Sequence, residues 1–316
     1  MFLKKKFSLK RYKKNPILKP ISKHPWEAKA VFNAGCLYED GKFHIIYRAM
    51  SKDNISTFGY AESRDGFHID RRLKKPVYVP RASFEARKDP KTNSGCEDPR
   101  LVRLGDRIYM FYTAYCGIFP ASAAITWIKT DDFLNRKWNW SKPRLISPLE
   151  EANKNICIFP EKIKGKYVIL HRMEETIDFS YAKDLHFPQK KLGKGNDWIK
   201  TRKNKWDSKR IGIAGIPIKT KHGWLLIYHG VCYKEIYYLG ALLLSLSNPK
   251  KVIARTDKPI FEPKKRYEKK GQVPNVVFSC GSTLLGDTIY VYYGGGDSVI
   301  GVATCSLEKL IKEIKK

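Results

Sequence analysis

LGDTIYVYYGG at 285–295 opens on a turn glycine and runs on as alternating aliphatic and aromatic residues. The same pattern stands at EDGKFHIIYRA (39–49), LGDRIYMFYTA (104–114), IKGKYVILHR (163–172) and KHGWLLIYHGV (221–231). Its glycines fall at 41, 105, 165, 223 and 286, a spacing of about 60 residues. Each copy has the apolar, turn-bounded character of a strand, and a glycine at its head suits a hairpin that needs positive φ. Other strand-like runs follow, such as STFGYAES (56–63), YLGALLLSLS (238–247) and VIGVATCS (299–306). An interval of this length holds four short strands. Five copies predict an all-β fold, a five-bladed β-propeller.

The expected organisation is a basic N-terminal tail at 1–14, the propeller at 15–306 and a short helix or tail at 307–316. The long helical patterns of a bundle are missing, and 22 Gly with 17 Pro suit a turn-rich chain. No apolar run reaches the length of a membrane span, and the basic N-terminus lacks the apolar stretch of a secretory signal. The seven Cys form no CxxC pair, which points to a reducing compartment rather than a disulfide framework or zinc site. A cytoplasmic protein is expected. The seven His form no HExxH or close cluster, so no metal is expected, and no nucleotide-binding signature argues for an organic cofactor.

Lys and Arg number 61 against 31 Asp and Glu, a formal charge of +30. Such a field collects anions, large or small. No nucleic-acid motif accompanies it, so small anions are the expected partners and nucleic acid is not. A propeller also brings corresponding positions of its copies together around a channel. Arg48, Arg172 and His229 hold such a position in copies one, three and four, which would gather cations in a hollow.

Six ordered blocks sharpen this picture: FNAG (32–35), GCEDPRLVRLGD (95–106), FPEKIKGKYVILHR (159–172), GWLLIYHGV (223–231), VPNVVFSCG (273–281) and YYGGGDSVIGVAT (292–304). On these the chain resembles glycoside hydrolase family 130, the β-mannoside phosphorylases and related β-mannosidases, from about 15 to 306. The family fold is a five-bladed propeller, in agreement with the repeat count. The resemblance implies that Asp98 is the general acid, its proton passing to the glycosidic oxygen directly or through the sugar's 3-hydroxyl. The phosphate-binding positions fall on Lys154, Arg172, Arg210 and His229. Two of these depart from the common pattern: Lys154 stands where Arg is usual and Arg210 where Lys is usual, a change of geometry at equal charge. Asn33, Arg48 and Asp297 fall where the family lines its mannosyl subsite.

In an extended segment Glu97 would brace the loop while Asp98 faced the channel, and Arg100 would hold a carboxylate by paired hydrogen bonds. Tyr115, Phe119, Trp127 and Tyr233 are candidates for an apolar wall around the outgoing sugar. Trp198 and Trp206, within 187–209, are candidates for a rim.

The expected reaction is inverting phosphorolysis of β-mannosides, of β-1,4-linked manno-oligosaccharide or mannosyl-glucose type, giving α-mannose 1-phosphate with phosphate as a substrate. The alternatives are a β-mannosidase using water, for which Glu161 and Asp297 are candidate bases, and a non-catalytic propeller binding polyanions or glycans. Leaving sugar and oligomeric state are open at this level.

Overall fold

The computed structural model describes residues 7–187, 191–192, 195 and 197–316. The fold is all-β. Its long strands form five consecutive antiparallel meanders: Ala30–Glu39, Lys42–Met50 and Ile55–Ser63; Ser94–Leu104, Arg107–Tyr115 and Ser122–Lys129; Asn153–Ile158, Tyr167–Met173 and Asp178–Ala182; Arg210–Ile213, Gly223–Val231 and Tyr237–Leu244; Val277–Leu285, Thr288–Gly295 and Val299–Ser306. Short outer strands at Arg71–Arg72, Arg144–Leu145 and Val252–Arg255 extend the first, second and fourth. A brief parallel pairing of Ile55 and Ser56 with Ser94 and Gly95 joins the first two meanders into one sheet. First strands of successive meanders pack together from the first to the fourth, and the fifth packs on both the fourth and the first.

Each quoted repeat is the middle strand of a meander, and its turn glycine has positive φ in every copy, from 58° to 137°. A strand presents successive side chains to opposite faces. The middle strands use this alternation in one way. Tyr47, Tyr112, Tyr228 and Tyr293 turn into the sheet-to-sheet core and give their hydroxyls to buried carboxylates of Glu27, Glu85, Asp207 and Glu268. The third meander has His171 at this place, bonded to Asn153 and Ser180. The next residue therefore faces the opposite way: Arg48, Thr113, Arg172, His229 and Gly294.

The segment expected as an N-terminal tail is structured where it is described. Lys10–Arg11 pairs with Ala303 and Thr304 as an edge strand of the fifth meander. Leu9 is buried in the core, and Arg11 bonds Glu268 at 2.6 and 2.8 Å. Sequence reading counted charges there. It missed that one guanidinium has a buried carboxylate waiting for it. At the other terminus, Leu307–Ile314 is a helix capped by the Ser306 hydroxyl, with Leu307, Leu310, Ile311 and Ile314 buried.

Candidate active site

A cavity of about 310 Å³ opens where the five meanders meet. Asn33, Arg48, Glu97, Asp98, Lys154, Asn155, Arg172, Arg210, His229 and Asp297 line it, with Tyr237, Val273, Val276 and Phe278 along one side. Asp98, the four residues expected at phosphate and the three expected at the mannosyl ring are all here, although the first and last lie more than 250 positions apart.

Local backbone geometry does much of the aiming. The first strands of meanders one, two and three each carry a β-bulge, at Phe32/Gly35, Glu97/Arg100 and Lys154/Cys157. A bulge adds one residue against the partner strand and redirects its side chain. The added turns hold Asn33, Asp98 and Asn155 at φ 48°, 57° and 53°, and Asp297 has φ 49° in the last turn. Asn and Asp tolerate this left-handed conformation better than other side chains.

The bulge corrects one expectation. Strand alternation would send Glu97 and Asp98 to opposite faces, yet both line the cavity, because Asp98 is the residue that breaks the alternation. Arg100 is also placed otherwise than expected. It is fully buried and donates to the backbone carbonyls of Asp98, Ile213 and Ala214 at 3.1, 2.7 and 2.8 Å. It ties meander two to meander four and grips no carboxylate. Arg48 does that instead: it donates to Glu97 at 2.8 Å and lies 3.5 Å from Asp98 Oδ1. Asn33 donates to the same Asp98 oxygen at 2.9 Å. The Asp98 side chain is thus held by both Asn33 and Arg48.

The cavity separates its charges. Glu97, Asp98 and Asp297 all act on Arg48. Burial, opposed by Arg48 and reinforced by Asp98 and Glu97, pushes the Asp297 carboxyl up to about 7. Among the described residues, Arg172 and Arg210 have no carboxylate partner. Lys154 reaches Glu97 at 3.5 Å, and it faces Arg172 directly across the ladder. Burial and then the neighbouring Arg210 bring the Arg172 guanidinium down to about 10. Its Nε is shut off from solvent without a partner. Arg210 donates to the Tyr237 hydroxyl at 2.8 Å.

His229 is fully buried, with its ring 4.6 Å from Phe278 and 6.3 Å from Tyr237 between centroids. Burial first, then Arg172, Arg100 and Arg210, push it well below the ordinary histidine range, so it is neutral. Gly212 sits opposite it, and a Cβ there would lie 2.7 Å from Nε2 and 2.3 Å from Asn155 Oδ1. The buried Asn33, Asn155 and Asp297 Oδ1 atoms also lack partners. Buried polar atoms are ordinarily bonded, so this concentration marks a place built for a polar ligand.

Several softer expectations fail. Glu161 is exposed and bonded to Lys219, outside the cavity. Tyr115, Phe119, Trp127 and Tyr233 do not line it. Trp127 carries the Arg107 guanidinium on its face, and Tyr233 is exposed to solvent. Trp198 and Trp206 pack on the outer core and donate to the carbonyls of Lys250 and Asp257. The rest of their expected rim includes residues 188–190, 193–194 and 196, which lie outside the described residues. The apolar wall is formed instead by Tyr237, Val273, Val276 and Phe278. The block 273–281 contained three of these, but an apolar residue in a β-rich chain reads first as core. Among the described residues no cluster has the make-up of a metal site, and no helix is long and apolar enough to cross a membrane.

Residues 8–316 match the family described as beta-1,4-mannooligosaccharide phosphorylase. The chain is 42% identical over 311 residues to a 1,2-beta-oligomannan phosphorylase of Thermoanaerobacter sp. (strain X514), covering 96% of this chain and 98% of that protein. It is 30% identical over 316 residues to a beta-1,4-mannooligosaccharide phosphorylase of Ruminococcus albus, covering 96% and 90%. Among solved structures it is similar to the beta-1,2-mannobiose phosphorylase of Listeria innocua in complex with beta-1,2-mannobiose, with TM-score 0.82, 26% identity, and 97% and 99% of the two chains covered. With a family match over nearly its whole length and relatives of this similarity, the chain belongs to glycoside hydrolase family 130.

Proposed function

We propose that this enzyme cleaves β-mannosides by inverting phosphorolysis, releasing α-mannose 1-phosphate and a shortened sugar. The observation that carries the reading is the cationic half of the cavity: Arg172 and Arg210 side by side, without a carboxylate, beside Lys154 and a neutral His229. Like charges placed together in a partly desolvated site cost stability unless an anion joins them. Phosphate held there is a charged nucleophile that needs no general base. A water-using mannosidase needs a second carboxylate to activate water. The cavity's three carboxylates already share Arg48, and Glu161 is elsewhere.

In this reading Asn33, Arg48 and Asp297 bind the mannosyl ring. Asp98, steadied by Asn33 and Arg48, protonates the leaving oxygen directly or through the 3-hydroxyl. Lys154 exchanges Glu97 for the phosphate. Arg210 offers the planar fork that Lys lacks, with Tyr237 fixing it. The surrounding architecture is a five-bladed propeller, supported by the five meanders and the mutual packing of neighbours around the cavity. No organic cofactor takes part, and the reaction belongs to the cytoplasm.

The linkage proposed is β-1,2, because the 42%-identical relative is named for it and the β-1,4 relative is more distant. This departs from the β-1,4 expectation. The test is incubation with β-1,2-mannobiose, β-1,2-mannotriose and β-1,4-mannobiose, with and without inorganic phosphate. α-Mannose 1-phosphate formed only with phosphate, and fastest from a β-1,2 substrate, is the expected result. Free mannose at equal rates with and without phosphate would overturn phosphorolysis.

A further inference from the structure

The cationic half of the cavity contains one group that an anion site does not need. Arginine and lysine only donate hydrogen bonds. A neutral imidazole donates from one nitrogen and accepts at the other. His229 is 0% exposed, closed in by Phe278 and Tyr237 on its faces and by Gly212 across the ladder. Arg172 on the third meander, Arg210 on the fourth and Arg100 on the second all oppose a further positive charge on it. No hydrogen bond of standard geometry closes on either ring nitrogen, although the Ile213 carbonyl favours a proton on the ring. A proton on the nitrogen that the Ile213 carbonyl favours leaves the other nitrogen as a buried acceptor on a residue that lines the pocket. The Asn155 side-chain oxygen lies against the same Gly212 position and is equally unpartnered.

An acceptor facing an unprotonated oxyanion places lone pair against lone pair. It is favourable only if the ligand brings a hydrogen. Inorganic phosphate retains a P–OH at neutral pH, and sulfate, of the same shape, does not. Resting on the phosphorolysis reading, we infer that the pocket recognises its anion in the protonated form, with His229 accepting the P–OH hydrogen, so that it takes hydrogen phosphate or hydrogen arsenate and rejects sulfate. The three cations give affinity, and His229 gives selectivity. The arrangement also fixes which phosphate oxygens are left unprotonated, which keeps a free oxygen for attack at the anomeric carbon. A site built around a hydrogen bond strongly rejects the analogue that lacks the bonding group, because a buried polar atom is then left unpaired.

The experiment measures calorimetric binding of phosphate, arsenate and sulfate at fixed ionic strength, together with phosphate-dependent turnover. The wild type is expected to bind phosphate and arsenate at least tenfold more tightly than sulfate. His229→Phe keeps an aromatic ring and removes the acceptor, so phosphate should weaken while sulfate does not, and the ratio should collapse. His229→Gln returns an acceptor oxygen and should restore much of the ratio. A merely structural role for His229 would weaken both anions in parallel. Sulfate binding as tight as phosphate in the wild type, or a parallel loss in His229→Phe, overturns the inference while phosphate-dependent turnover stands. Absence of both phosphate binding and phosphate-dependent turnover overturns the phosphorolysis reading and the inference with it.

Discussion

Two carboxylates in the cavity are set up for different tasks. Asp98 is held on one oxygen by Asn33 and Arg48, an arrangement that fixes its direction. Replacing it by Asn keeps the shape and removes the carboxyl group. Asp98→Asn is expected to lower kcat by roughly 10²–10⁴-fold, with mannoside binding retained in calorimetry. Asp297 is the crowded one, and its carboxyl titrates near 7 in the folded protein. Its native pKa lies above its unfolded value, so the native state keeps a proton that the unfolded chain has released. Stability from this group therefore falls as pH rises from the unfolded carboxylate range to about 7, and stays level above. Asp297→Asn removes the titration. Its gain in Tm over the wild type should grow from pH 4 to pH 7 and then flatten, as scanning calorimetry across that range would show. A constant difference at all pH values would contradict the assignment.

At the scale of the element, the middle strand is the working unit. In four of the five meanders one side chain locks to a buried carboxylate and the next faces the opposite way, so in the first and fourth the lock fixes which side chain enters the cavity. Tyr228 bonded to Asp207 at 2.8 Å presents His229 inward, and Tyr47 bonded to Glu27 at 2.9 Å presents Arg48. The facing strand must then leave room. Gly212 does so opposite His229, where a Cβ would come within 2.5 Å of the ring. Its backbone is extended, so the constraint is space and not φ. Gly212→Ala should fold, since one ring can shift, yet raise KM for phosphate about tenfold or more, the scale of 1.4 kcal/mol in binding. Steady-state kinetics with varied phosphate checks this, and an unchanged KM would show that the His229 position is immaterial.

At the scale of the whole molecule, the chain brings its two ends into one sheet. Lys10–Arg11 supplies the edge strand of the fifth meander, and Arg11 neutralises Glu268, whose carboxylate also accepts from Tyr293 and from the backbone of Lys264 and Lys265. Removing one partner of a buried ion pair leaves an uncompensated charge. Arg11→Ala is therefore expected to destabilise the fold by about 3 kcal/mol, read as a lower Tm. Arg11→Ala with Glu268→Gln should recover part of the loss. Equal Tm values for Arg11→Ala and the wild type would reduce this contact to a surface pairing.

The all-β class and the five repeats were legible because hydrophobic alternation and turn glycines are local signals, imposed by the pleat of each strand. That Arg48, Arg172 and His229 would gather in one hollow was legible as well, since each holds a corresponding position in a recurring block, while Asp98 was singled out only by the family resemblance. The tertiary structure decided what depends on distant partners. It made Arg100 a backbone tie between meanders and gave its expected duty to Arg48. It brought Glu97 into the cavity with Asp98, because a bulge breaks strand alternation and no local rule places one there. It made the apolar wall from Tyr237, Val273, Val276 and Phe278, and left Trp127, Trp198 and Trp206 outside. It turned part of the basic N-terminal tail into a strand. The reason is the same in each case: sequence periodicity fixes which way a side chain turns relative to its own strand, while the partner it meets is chosen only when the five sheets pack.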